Sequence, residues 1–590
     1  MGILSAGSSR EIKAGLQPQL HRSAKGAMIG WDGRLDNRRE LCAALHLVEP
    51  DQDCVVVGEA FDQRGEECFR TFVGDWAMSL WDPIRQELFF ARDFLGVRHL
   101  FYSLCGNVIR WCNDLTCLVV TADGLTLSEQ YAAGFLGSFP HNTLTPYREI
   151  SSVATGSYMV LRANQQFESQ AYWTFDRLGH CRYGTDGEYE EHYRYLFRQA
   201  VRRRLRTSVP VLAELSGGLD SSAITCMADS LVSKGEVRVP RIDTISFYDP
   251  DEPEDNDPAY FAIVEEHRCR TGLHVRIEQA ADCLPFLHSA FEIRPGLGVN
   301  PQLLAAVDKA LETHQYGSML SGSGGDDFNG QALDPRIVMA EMLLDWQWLS
   351  LVKVLTEWSF LIRKRPWIQL FLQTLFRLLP PTGDSLLREQ PWLNESFAKR
   401  NDTYLFPRLE RTRQLWMRPS LRHAVELLTS RACQMTTTTP WRVERCYPFL
   451  DQDLVMFLIS IPLEQLLRPG QRRSLMRRAL HDLLPGPIVQ RTTKAGLGRC
   501  FSVAVERNWP RIQEILKTPL LADLGYVQAD VFRSSIRALR SGDQPPVVLP
   551  LLRALALEAW LRKVSARGIA SVPCLKFACS DKQGAFARQE

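Results

Sequence analysis

Over about the first 180 residues, apolar positions come in short runs broken by turn residues. Ala27 to Trp31 is apolar and leads into Asp32-Gly33; Trp76 to Trp81 stops at Asp82-Pro83, and Glu87 to Ala91 follows. Two apolar runs joined by a short polar turn predict a hairpin in a mainly antiparallel sheet. Asn37 to Leu47 reads as a helix that Asp36 or Asn37 can cap. The period then changes. Tyr193, Leu196, Phe197, Ala200 and Val201 recur at helical intervals within Tyr189 to Arg206. A short apolar strand, Val209 to Leu215, a Gly/Ser loop, a helix from Ser222 to Leu231 and a strand from Ile242 to Tyr248 follow. Helices alternating with strands predict a parallel sheet covered by helices, with a boundary between residues 180 and 190. From Asp334 onward the pattern is almost wholly helical, interrupted at Pro366, Pro380-Pro381 and Pro391. Residues 336–380 carry four Trp and many Leu, a stripe that reads as core or as a groove for a partner or substrate.

Charge and cysteine content narrow the classes. Sixty-nine Lys and Arg nearly balance 68 Asp and Glu, leaving +1, so the chain as a whole has no electrostatic grip on nucleic acid. The 15 Cys are scattered without a CxxC pair, and the spacings Cys112/Cys117 and Cys574/Cys579 have no neighbouring His, as expected of reduced thiols in a cytoplasmic protein. The start, Met1 to Gly7, shows no apolar run of signal-peptide length, and Ala6 stands where a myristoylation pattern needs Ser or Thr. Ser359 to Leu379 is apolar but broken by Arg363, Lys364, Arg365 and Arg377, short of a transmembrane segment, and a soluble protein is expected. Twelve His form no HxxxH or HExxH pattern of a metal hydrolase. The last 20 residues read as a frayed tail.

Candidate chemistry concentrates in two loops. Leu215-Ser216-Gly217-Gly218-Leu219-Asp220-Ser221-Ser222 lies between an apolar strand and a helix. Two glycines let the backbone turn sharply, the helix start offers free N–H groups to an anion, and the serines add hydroxyl donors. Asp220 supplies a carboxylate for a cation bridging phosphates. The Gly-Lys-Ser/Thr ending of a Walker A loop is missing. About a hundred residues later, Met319 to Asp327 repeats the strand, flexible loop and acids. One acid from each loop can hold a single Mg²⁺, which pairs Asp220 with Asp326.

The first octapeptide resembles the SGGxDSS pyrophosphate loop of the PP-loop ATP pyrophosphatases. With both loops in place, the chain resembles the asparagine synthetase superfamily over most of its length. Gly30 to Leu41 looks like that family's NGEIYNxxEL segment, and Phe72 to Ala77 with Ala91 to Tyr102 like its GxFA and ARDxxGxxPLYY stretches. Val443 to Asp451 is similar to its vExRxPFLD, and Lys494 sits where the family carries an essential lysine. The resemblance implies an α/β protein. A class II glutaminase-like antiparallel sheet domain (1–185) would precede a PP-loop ATP pyrophosphatase α/β domain with a largely helical C-terminal part (186–575), and then a tail (576–590).

Two departures shape the functional expectation. Class II glutaminases use a Cys at position 2 as nucleophile, and here that residue is Gly2, so the first domain is expected to be a retained scaffold. Between the glycines of SGxG, asparagine synthetases carry Glu and β-lactam synthetase Tyr; Ser323 stands there, a form seen in lasso peptide cyclases. The helical, Trp-rich segment 331–440 also looks like that group.

The resemblance therefore implies an ATP- and Mg²⁺-dependent ligase that adenylates an Asp or Glu side chain of a precursor peptide, which its N-terminal amine attacks. The alternative is an asparagine synthetase-like or β-lactam synthetase-like ligase using ammonia or an internal amine. Leader peptidase and leader-binding protein are the implied partners. In this scheme Ser216, Gly217, Gly218, Ser221 and Ser222 hold pyrophosphate, and Asp220 and Asp326 hold Mg²⁺. Leu215, Ser246, Ser321 and Gly322 contact adenosine; Glu444 is the base and Lys494 stabilises developing charge. The basic stretch Arg468, Arg472, Arg473, Arg477 and Arg478 reads as a solvated helix face, and Asp249 to Asp257 as an exposed acidic loop near the ATP site, or one with an acid that meets substrate or metal.

Overall fold

The computed structural model describes residues 18–122, 124–137, 140–162, 166–174, 181–252, 257–278, 284–288, 291–361, 367–378, 389–401, 418–435, 443–492, 498–542 and 548–571. The first apolar runs form a six-stranded antiparallel sheet in the order Gln19–Arg22, Met28–Leu35, Gly74–Asp82, Glu87–Arg92, Ser157–Leu161, Phe167–Ala171. The expected hairpin is present, with Asp82 opposite Glu87 and Ala77 opposite Arg92. The strand expected to end at Trp31 instead runs on to Leu35, because Gly33 and Arg34 keep pairing with Trp76 and Asp75 across the supposed turn. The helix expected over 37–47 is shorter, Arg38–Ala44.

Alternation along a strand sends side chains to opposite faces, and here both faces are covered. Trp31, Trp76, Met78 and Phe89 pack with Val57 and Phe61 of the helix Asp53–Arg64. On the other face Ala77, Leu88 and Phe90 meet Leu100 and Val153, beside a small sheet of Phe101–Cys105, Val108–Cys112 and Ser151–Ser152.

A capping box starts the next region. Glu188 Oε2 accepts the Thr185 N–H at 2.8 Å and Thr185 Oγ1 accepts the Glu188 N–H at 3.4 Å, fixing the start of helix Asp186–Arg203. Five parallel strands follow in the order Leu273–Arg276, Ile242–Tyr248, Val211–Glu214, Ser318–Leu320, Glu444–Cys446. Val211 and Ala213 bury one face against Phe197, Ala200, Ala223 and Met227, while Leu212, Ile245 and Met319 bury the other against Val307 and Leu311. A parallel sheet covered on both faces leaves its carboxyl-end loops as the place to hold a ligand.

The helical C-terminal part closes back on the first part. Leu118, Tyr131 and Leu136 share a core with Ile536, Leu555 and Trp560, and Ala570-Ser571 pairs in parallel with Leu125-Thr126. The Trp-rich stretch is only half core. Helix Trp348–Leu361 buries Leu351 and Leu355 but leaves Leu349 90% exposed. Among the described residues no helix is long and apolar enough to cross a membrane.

A buried ionic network joins the two sheets. Arg34 pairs with Asp36 at 2.6 Å, Asp75 at 2.8 Å and Glu444 at 3.1 Å. Arg204 reaches Asp36 at 3.4 Å and also pairs with Asp451, which receives Arg203 at 3.0 Å. Burial works against ionisation of Asp36, yet Arg34 and Arg204 outweigh it and hold its carboxyl below the usual range.

Candidate active site

The strand Val211–Glu214 delivers the chain to the first loop, and the helix Leu219–Ser233 carries it away. That helix begins three residues earlier than its apolar pattern suggests, since Asp220 and Ser221 already form its first turn. Gly217 has φ +66°, and a Cβ there would fall 2.5 Å from the Phe261 nitrogen, so the turn requires glycine. The Ser216 N–H donates to Ser221 Oγ at 3.2 Å, and Ser221 Oγ donates to the Gly218 carbonyl at 3.2 Å, closing the loop on the helix start. The hydroxyls of Ser222 and Ser246 are fully buried without a hydrogen-bond partner among the described residues. Burying an unsatisfied hydroxyl costs about 1–3 kcal/mol, so two of them at the loop fit a polar ligand. Leu215 has its side chain in the core and donates its N–H to the Ile245 carbonyl at 2.9 Å, which ties the start of the loop to the neighbouring strand.

The second loop leaves Ser318–Leu320 at Ser321, whose N–H donates to the Cys446 carbonyl at 3.0 Å. It runs against the first: a Cβ on Gly325 would lie 2.3 Å from Asp220 Oδ1, and one on Gly322 would lie 3.3 Å from Asp220 Cβ. The Asn329 carboxamide supports this turn, accepting from the Tyr193 hydroxyl at 2.9 Å and donating to the Gly325 carbonyl at 3.0 Å.

Asp220 and Asp326 are brought together, as the spacing of the two loops predicts, and both face one guanidinium. Arg473 Nη1 donates to Asp220 Oδ2 at 2.7 Å, and Nη2 pairs with Asp326 Oδ1. This corrects the reading of the basic stretch as a solvated helix face. Arg473 is 7% exposed; Arg472 donates to the Leu333 carbonyl at 3.1 Å and Arg477 to the Arg491 carbonyl at 2.8 Å. Arg468 and Arg478 engage Asp186. The partners come from more than a hundred residues away in most cases, so no local pattern announces them.

Arg491 lies 3.9 Å over the Tyr260 ring, donates to Asp257 at 2.6 Å and reaches the Ser216 carbonyl at 3.4 Å. Lys494, three residues further along, lies outside the described residues. The acidic run is corrected in part: Asp249 and Glu252 are buried, and Asp257 holds Arg491, while 253–256 lie outside the described residues.

Strand alternation separates Glu444 from Arg445. Arg445 pairs with Glu214 and donates to Ser321 Oγ at 3.2 Å, facing the loops. Glu444 faces the first sheet, where its Oε1 accepts from Arg34 at 3.1 Å and Arg98 at 2.7 Å. Ser323 Oγ accepts from Arg431 at 3.3 Å; this arginine, on helix Pro419–Met435, also pairs with Asp327. Sequence reasoning missed Glu214, Arg431, Arg445 and Arg473. Arg445 had a local signal: next to Glu444 on a strand, its side chain must point to the opposite face. Among the described residues no group of three His, Cys, Asp or Glu is placed to hold a metal; Asp220 and Asp326 are the two carboxylates that Arg473 brings together at the loops.

Residues 192–562, which contain both loops, match the family Asparagine synthase. The chain belongs to the asparagine synthase family. This makes it an ATP-dependent carbon–nitrogen ligase of the kind that forms AMP and pyrophosphate. Residues 10–173 match the Glutamine amidotransferase domain, which accounts for the antiparallel sheet preceding the α/β part. The chain is 24% identical over 510 residues to asparagine synthetase [glutamine-hydrolyzing] 3 of Bacillus subtilis, covering 82% of this chain and 77% of that protein. It is 28% identical over 190 residues to amidase chry2 of Gibberella zeae, covering 31% of this chain and 28% of that one. Among solved structures, the glutamine phosphoribosylpyrophosphate amidotransferase of B. subtilis with ADP and GMP is similar at a TM-score of 0.21 and 11% identity, over 52% of this chain and 73% of that one.

Within the amidotransferase-like part, Gly2 lies outside the described residues. Cys42, Cys54 and Cys68 are buried, and burial pushes each thiol up, Cys54 to about 11, so none is a ready thiolate nucleophile.

Gly325→Ala provides a test of the loop contact. Its methyl group would push Asp220 out of place, and a displacement of about 1 Å costs roughly 100-fold in rate. ATP–pyrophosphate exchange should fall by that order while the melting temperature stays close to that of the parent.

Proposed function

We propose that this member of the asparagine synthase family is a lasso peptide cyclase. It activates an Asp or Glu side chain of a precursor peptide as the adenylate and joins it to the peptide's own N-terminal amine. The observation that carries this reading is Ser323 with Arg431. The position between the loop glycines holds a small hydroxyl, gripped by an arginine from the long helical segment instead of offering an acid to ammonia. A hydroxyl there takes less space than a Glu side chain, and Arg431, paired with Asp327, adds a cation beside the second loop.

Bound ATP supplies the AMP moiety and the pyrophosphate leaving group. Ser216, Gly217, Gly218, Ser221 and Ser222 cradle the pyrophosphate. Leu215, Ser246, Ser321 and Gly322 contact adenosine. Asp220 and Asp326 hold Mg²⁺: their hard oxygens already converge on one cationic group, the Arg473 guanidinium, which fits an ion completed by phosphate oxygens. Glu444 takes the proton of an attacking amine that approaches from the side of the first sheet, where Arg34 and Arg98 hold its carboxylate, which gives the amidotransferase-like sheet a positioning role. Lys494 offsets charge developing on the phosphate and the tetrahedral oxyanion. A precursor peptide, a leader peptidase and a leader-binding protein in the cytoplasm complete the proposal.

A second reading, amide formation from aspartate and ammonia, is favoured by the 82% of the chain that aligns with the B. subtilis asparagine synthetase. ATP–pyrophosphate exchange with candidate peptides and with aspartate separates the two. Exchange that needs a peptide supports the cyclase; exchange with aspartate together with ammonia-dependent asparagine formation overturns it. Glu444→Ala should retain exchange yet form cyclised peptide about 10²- to 10⁴-fold more slowly, read by mass spectrometry of the product.

A further inference from the structure

Where the two loops meet, a cation is already in place, and it belongs to the chain itself. Arg473 Nη1 donates to Asp220 Oδ2 at 2.7 Å, Nη2 pairs with Asp326 Oδ1, and Nε donates to Gln331 Oε1 at 3.1 Å. A planar guanidinium presents its donors in a rigid fork, so this one side chain fixes how the two carboxylates stand to each other. The backbone bends to put it there. Arg473 follows the hairpin of Leu467–Arg468 with Gln471–Arg472 and precedes helix Ser474–Ala479, at φ 56° and ψ 39°. That left-handed conformation is uncommon for an arginine, and such strain persists only where the surrounding structure enforces it.

Access to the pair of acids is one-sided. Arg473 is buried and the Asp220 side chain nearly so, whereas the Asp326 side chain is 48% exposed. An ion from solvent therefore meets Asp326 first and reaches Asp220 only by displacing the guanidinium. A bare divalent ion must break these charge-assisted hydrogen bonds in exchange for two carboxylates. An ion that arrives with nucleotide brings phosphate oxygens, the ligands Mg²⁺ favours beside one or two carboxylates. We propose that Arg473 is a positioning residue that stands in for the metal between turnovers: it holds Asp220 and Asp326 together without Mg²⁺ and excludes the ion until nucleotide comes with it. The inference rests on the reading of those two acids as the Mg²⁺ site.

The test is equilibrium dialysis of the full chain against radioactive Mn²⁺, with and without ATP, beside melting curves with and without Mg²⁺. With ATP the parent should retain Mn²⁺ more tightly than Asp326→Ala does. Without ATP the parent should bind it weakly, and Mg²⁺ should leave its melting temperature unchanged. Arg473→Gln should bind Mn²⁺ about 10- to 100-fold more tightly than the parent without ATP, the factor for a charge-assisted hydrogen bond that no longer competes. Its melting temperature should fall, because the two acids then repel each other, and Mg²⁺ alone should restore it. Arg473→Lys should regain part of the exclusion. Gln331→Ala keeps both acids but loosens the guanidinium; it should shift binding without ATP in the same direction by less, and it carries the test if Arg473→Gln does not fold. Equal retention by the parent and Asp326→Ala with ATP would overturn the metal site itself. Tighter retention by the parent there, but equal binding by the parent, Arg473→Gln and Gln331→Ala without ATP, would overturn the role of Arg473 alone.

Discussion

Asp220→Ala is expected to lower ATP–pyrophosphate exchange by about 10²- to 10³-fold, the usual loss when a preorganised electrostatic group is removed from a reacting centre. Asp220 is the point at which the two loops meet: Gly322 and Gly325 pack on it, and Arg473 bridges it to Asp326. Asp326→Ala should have a similar effect. The double variant should lose little more than either single one, because residues acting through one focus are not additive. Exchange near the parent rate in Asp220→Ala would remove the basis for a metal-linked nucleotide site. Full additivity of the two changes would show that the acids act separately.

Asp451→Ala is expected to cause the largest loss of stability, about 3–5 kcal/mol, the range for removing one partner of a buried charge pair. Asp451 is fully buried, receives Arg203 and Arg204, and accepts the N–H groups of Asp453 and Leu454 at the start of helix Gln452–Ser460. Its removal takes a shared carboxylate from two buried guanidinium groups, leaving Arg203 with Asp453 and Arg204 with Asp36, and uncaps a helix as well. Asp451→Asn keeps a capping oxygen and should cost less. The midpoint of thermal or denaturant unfolding gives the ordering, and an unchanged midpoint in the alanine variant would contradict the network described here.

The elements with strong periodicity and punctuation could be read before any coordinates were known. The hairpin around Asp82-Pro83, the strand–loop–helix at Ser216 to Ser222 and the second loop at Ser321 all follow from local spacing and glycine chemistry. What escaped depends on distant pairing. Asp32-Gly33 has turn chemistry, yet the ladder with Gly74–Asp82 overrides it. Arg473 looks like one cation among several until Asp220, more than 250 residues earlier, is folded against it. Glu444 and Arg445 are adjacent in sequence, but the pleat sends one to Arg34 and Arg98 and the other to Glu214 and Ser321. The tryptophans near 346–367 carry the composition of a core, and only the packing shows which face stays bare.

The parallel pairing of Ala570-Ser571 with Leu125-Thr126, and the joint packing of Tyr131 and Leu136 with Leu555 and Trp560, have a consequence for biogenesis. While the polypeptide emerges from the ribosome, the outer layer of its leading portion waits roughly 400 residues for the helix that seals it. The nascent protein therefore carries a greasy half-core for most of its synthesis and is a natural client for chaperones.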